Sequence, residues 1–143
     1  MPKIARKKSA QSLGLLLGVL AIAGIAHTAP QAVGPSGYRL VKTVKLGGTG
    51  GWDYLTVDPA THRLFISRGT HFMIVDLAQG KIIGDIPDTQ GAHGVALAAE
   101  FNRGYTTNGR TADSTIFDMA TLKVLGNVKT DKDTDGVIYD PFS

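Results

Sequence analysis

Three residues with ligand chemistry recur at nearly even intervals: Asp53, His93 and Asp135 lie 40 and then 42 positions apart. Brought to a common point, one imidazole and two carboxylates would bind a cation or a polar ligand, since both group types present lone pairs. Their competing use is structural, as hydrogen bonds joining neighbouring repeat units. Arg68 and Arg110 each sit in a glycine-containing turn, where a guanidinium either reaches an anionic ligand from a rim or is simply solvated. The run Asp131 to Gly136, DKDTDG, matches the first half of a calcium loop, with Asp at positions 1, 3 and 5 and Gly at 6. Position 12 is Phe142 instead of Glu, and no helical pattern flanks the run, so a solvated acidic connection is expected. GGTGG, from Gly47 to Gly51, lacks the lysine of a phosphate loop and leads into a strand pattern. His62 and His71 fall in or beside turns, and Trp52 reads as a packing residue. The chain has no cysteine, hence no thiolate nucleophile or thiolate metal site. No Ser-His-Asp arrangement can be read from the spacing. The sequence therefore assigns no catalytic residue, no cofactor and no dedicated metal-ligand set.

An internal repeat sets those intervals. LTVDPATHRLFIS from Leu55 aligns with VALAAEFNRGYTT from Val95 at an offset of 40, placing Arg63 on Arg103 and Phe65 on Tyr105. FMIVDLAQGKIIGDI from Phe72 aligns with STIFDMATLKVLGNV from Ser114 at 42, placing Asp76 on Asp118 and Gly84 on Gly126. GVIYDP, from Gly136, opens a third copy. Each copy holds four short runs rich in alternating, β-branched and aromatic residues, separated by turn residues. They are expected near 53–58, 63–67, 72–77 and 81–86, then near 93–98, 103–107, 114–119 and 123–128. No stretch after residue 30 keeps a helical period.

Four antiparallel strands every 40 or so residues predict an all-β chain built of β-propeller blades. In that architecture Asp53, His93 and Asp135, each just ahead of an inner strand, would surround the mouth of the central channel. YRLVKTVKLGG, from Tyr38, aligns with the fourth strands and is expected to complete the last blade of a closed ring. The expected layout is a signal peptide (1–26), a linker (27–37), a ring-closing strand (38–47), blade 1 (48–90), blade 2 (91–132) and the start of a truncated blade 3 (133–143). About 2.3 blades are present, against roughly four to eight in a ring, so an N-terminal fragment is expected. YTTN at Tyr105 to Asn108, LFIS at Leu64 to Ser67, and the paired runs VDLAQGKIIGDI and FDMATLKVLGNV carry a resemblance. The chain resembles the YVTN-type (YncE-like) β-propeller repeat family of exported bacterial proteins. That resemblance implies a propeller scaffold, seven-bladed in full-length relatives, used for many functions.

Charge and leader fix the remaining expectations. Lys3, Arg6, Lys7 and Lys8 precede an apolar run from Leu13 to Ala26 that ends in the small residues Gly24 and Ala26. This is the order of a secretory signal, and the run falls short of the ~20 residues of a comfortable membrane span. A periplasmic or secreted protein is expected, with no membrane span after cleavage; an uncleaved anchor is the alternative. All twelve acidic residues follow residue 50, and four of the fifteen basic ones lie in the leader, so nucleic acid is not an expected partner. The reading is an exported binding or scaffold propeller, favoured over an enzyme, which stays open, with an unknown small ligand or protein as partner. The alternatives are a lactonase-like hydrolase using a channel metal and a single-stranded nucleic-acid binder.

Overall fold

A computed structural model describes residues 37–142; the leader (1–26) and almost all of the linker (27–36) lie outside the described residues. The chain divides into two units, Met1–Val41 and Lys42–Ser143. In the first, residues 37–41 carry no helix or strand. The second is all-β. It contains β1 (Leu55–Asp58), β2 (Arg63–Ser67), β3 (Phe72–Asp76) and β4 (Lys81–Ile86), then β5 (Ala92–Ala98), β6 (Arg103–Asn108), β7 (Asp113–Asp118) and β8 (Val124–Lys129). These form two antiparallel sheets, ordered β1-β2-β3-β4 and β5-β6-β7-β8. A 3-10 turn at Ala99–Phe101 is the helical exception. Among the described residues no helix is long and apolar enough to cross a membrane.

The repeat is visible in local detail. Each sheet has a register shift between its third and fourth strands, at Ile74/Val75 and at Ile116/Phe117, which are equivalent positions. Each third strand ends in an aspartate that folds the following turn: Asp76 accepts from the Gln79 backbone N–H at 2.8 Å, and Asp118 from that of Thr121 at 2.8 Å. Such local acceptors make Asp a turn residue. Asp58 folds the first turn by accepting from Ala60 N–H at 3.0 Å, and Asp140 repeats this with Phe142 N–H at 2.9 Å.

The main core lies between the sheets. Phe65, Phe72, Ile74 and Ile86 of the first meet Ala92, Val95, Phe117 and Met119 of the second. The rings of Phe65 and Phe117 stand 5.9 Å apart, and burying each phenyl ring contributes roughly 1.5–3 kcal/mol. Gly104 is required beneath Phe117, because an added Cβ would stand 2.0 Å from the ring's Cζ. Polar links stitch the sheets as well: Thr56 donates to the Val95 carbonyl at 3.3 Å, and the Arg63 guanidinium to the Met119 carbonyl at 2.6 Å. In YTTN, Thr106 donates to Asn108, whose amide donates to Thr115 and Asp113, each at 2.8 Å. This satisfies polar groups buried at the end of the second sheet.

A smaller cluster, Ile66, Met73 and Val75, occupies the other face of the first sheet, where Val44 and Leu46 pack against it. Residues 42–47 nonetheless join no β-ladder. A fourth strand needs the backbone of a third, and no such neighbour exists for this segment among the described residues. Likewise, 133–142 carries the Asp140 turn without a paired strand.

Candidate functional site

Asp53 directly precedes β1 by two residues, His93 is the second residue of β5, and Asp135 lies in the segment after β8. Two equivalent hydroxyls position them. Ser67, at the end of β2, accepts the backbone N–H of Asp53 at 3.1 Å and of Tyr54 at 2.9 Å. Thr107, its counterpart in β6, accepts the N–H of Gly94 at 2.8 Å and donates to the Asp135 carbonyl at 2.5 Å. Both hydroxyl residues are buried. One side chain thus ties the residue after His93 to the backbone of Asp135.

The three predicted site residues are brought together. His93 Nδ1 stands 2.7 Å from Asp53 Oδ2 and 3.7 Å from Asp135 Oδ1. One ligand atom from each falls within 4.8 Å of the others. The 2.7 Å contact is a hydrogen bond in which Nδ1–H donates to Asp53, leaving the Nε2 lone pair free in the neutral ring. The side chains are 49% exposed for Asp53, 34% for His93 and 60% for Asp135, so solvent and solutes reach them. Tyr54 joins the group. The Asp135 carboxylate beside it, helped by partial burial, Asp53 and a hydrogen bond to Asp135, holds the phenol above its ordinary ionisation range.

Beside the cluster opens a cavity of about 440 Å³. Backbone at Gly69, Gly91 and Gly109 lines it, together with Trp52, Arg110 and Asp133. Its space depends on missing side chains: a Cβ on Gly91 would stand 2.6 Å from the Arg110 backbone nitrogen, and one on Gly109 would stand 3.2 Å from His93 Nε2. Gly91 also has a φ of +70°, which an L side chain rarely adopts.

The two rim arginines separate. Arg68 donates from Nη2 to the carbonyls of Gly47, Thr49 and Gly50 at 3.4, 3.1 and 3.5 Å, and so holds the glycine loop. Arg110 lines the cavity, and its guanidinium has no protein partner among the described residues. His71 lies elsewhere, against Thr70 and Asp85. In DKDTDG, the Asp131 carbonyl accepts from Thr134 at 2.6 Å, a turn that carries Asp135 towards His93, and no helix flanks it.

Sequence reasoning missed Tyr54, Ser67 and Thr107. The repeat held a signal for two of them, since a hydroxyl recurs at aligned positions 67 and 107.

Comparison with solved structures shows what this arrangement is built on. The chain matches hydrazine synthase of Kuenenia stuttgartiensis with a TM-score of 0.61 at 20% identity, over 73% of this chain and 30% of that one. It also matches AztD of Citrobacter koseri, one structure being of the apo form, with a TM-score of 0.54 at 14% identity, over 62% of this chain and 26% of that one. The fold is that of a β-propeller. The chain spans less than a third of the length of these neighbours, and identities this low bear on fold alone. No protein-family model and no curated protein matches it, so the YVTN-type resemblance rests on its motifs.

Proposed function

We propose that this chain belongs to an exported, YVTN-type β-propeller binding protein, and that Asp53, His93 and Asp135 bind a divalent cation at the channel mouth. The observation that carries this reading is the meeting of three ligand atoms, from three successive repeat copies, within 4.8 Å. In a tetrahedral site with metal–ligand distances of about 2.1 Å, ligand atoms stand roughly 3.4 Å apart. The two His93 spacings of 2.7 and 3.7 Å bracket that value and the carboxylate oxygens lie within 4.8 Å of each other, so the three groups would close on a cation that replaces the Nδ1 proton. A mixed set of one imidazole and two carboxylates suits a first-row cation such as Mn²⁺ or Zn²⁺. Three protein ligands leave at least one coordination position for water or a ligand.

The structural use of the trio offers less. An ion pair this exposed contributes about 0–1 kcal/mol to stability. The deciding experiment is calorimetric titration of the full chain with Mn²⁺ and Zn²⁺, alongside its His93→Ala, Asp53→Ala and Asp135→Ala variants. Binding by the wild type, weakened at least tenfold in each variant with little change in unfolding midpoint, is the expected result. No binding by the wild type, with a lowered midpoint in all three variants, would assign the trio to the blade junction instead.

A further inference from the structure

Resting on that cation reading, we infer that the adjoining cavity takes a small monocarboxylate, one end of which completes the cation's coordination while its charge meets Arg110. At about 440 Å³ the cavity falls within the range of small-molecule sites. His93 and Asp53 belong both to its lining and to the cluster, so a ligand inside it touches the cation's open side. Arg110 supplies a planar guanidinium without a protein partner among the described residues, and such a fork matches a carboxylate in a bidentate pairing. The indole of Trp52 is 72% exposed and forms an apolar wall for the body of the ligand.

Charge sets the order of binding and the class of anion. Asp53, Asp133 and Asp135 outnumber the single guanidinium, so without the cation the cavity repels anions. A divalent cation brings the site close to neutrality, which admits one carboxylate and disfavours a phosphate dianion. Binding of cation and carboxylate must then be reciprocal, each raising the affinity of the other.

The test uses glycolate as the probe, with the full chain in saturating Mn²⁺ and in the absence of metal. Trp52 is the chain's sole tryptophan, so its fluorescence reports on the cavity directly, and calorimetry supplies the affinities. Expected are saturable glycolate binding only with Mn²⁺, weaker binding of inorganic phosphate, and a loss of roughly tenfold or more in Arg110→Gln. Arg110→Lys should fall between the two, and Mn²⁺ affinity should hold in both variants. Glycolate binding that ignores Mn²⁺, that survives Arg110→Gln, or that phosphate matches would overturn this inference and leave the cation site standing. Failure of Mn²⁺ to bind would overturn the cation reading and this inference with it.

Discussion

Replacing Thr107 by valine keeps the side-chain shape and removes the hydroxyl that joins His93's strand to Asp135. The loss is two hydrogen bonds, one accepted from Gly94 N–H at 2.8 Å and one donated to the Asp135 carbonyl at 2.5 Å. Thr107 is only 3% exposed, so water cannot readily replace them. At roughly 0.5–1.5 kcal/mol each, with the Gly94 donor left unsatisfied, Thr107→Val should destabilise by about 1–3 kcal/mol. In urea that is a midpoint shift of about 1 M at an m-value of ~2 kcal/mol/M. Releasing Asp135 should also weaken Mn²⁺ binding roughly tenfold, a shift of about 1.4 kcal/mol. Thr107→Ser restores the hydroxyl and should recover most of both quantities, which a purely steric role would not. A Thr107→Val protein within a few tenths of a kcal/mol of wild type, binding Mn²⁺ normally, would refute the positioning argument.

Gly104→Ala drives a Cβ into Phe117 and should cost about 1–3 kcal/mol of stability by urea denaturation; an unchanged midpoint would mean the sheets part more easily than their core suggests. Asp76 and Asp118 are held below the usual carboxylate range, first by the backbone N–H of Gln79 and of Thr121 respectively. Their contribution is therefore present above the unfolded-state value near 3.9 and is lost as pH falls through the lower folded values. Asp118→Asn should flatten that acid limb in a pH series of unfolding curves. The Tyr139 phenol is pushed up to about 12, chiefly by its hydrogen bond to Glu100. Ultraviolet titration should find a tyrosine ionising near there that returns towards ~10 in Glu100→Ala.

The strands could be read because alternation, β-branched residues and turn residues all marked the same boundaries, and all eight begin and end within about two residues of the expected runs. Asp53, His93 and Asp135 could be read for a related reason. In a repeat protein, equivalent sequence positions become neighbouring points in space, so aligned polar residues at strand starts converge. Tyr54 escaped because its electrostatic coupling to Asp135 links separate repeat copies and follows no spacing rule. Arg68 and Arg110 look alike in sequence; they differ because the Gly47–Gly50 loop folds back onto Arg68, and among the described residues no such loop offers carbonyls to Arg110. The strand expected over 38–47 shows the opposite limit. Its pattern is genuine enough to pack Val44 and Leu46 on the first sheet, but a ladder needs a partner that pattern alone does not supply.

The most direct measurement of the central claim is pulsed electron paramagnetic resonance of the full chain loaded with one equivalent of Mn²⁺. Of the three histidines among the described residues, His62, His71 and His93, only His93 stands in the cluster. The account predicts coupling to a single imidazole nitrogen that vanishes in His93→Gln. A spectrum without nitrogen coupling, or one whose coupling survives that replacement, would contradict it.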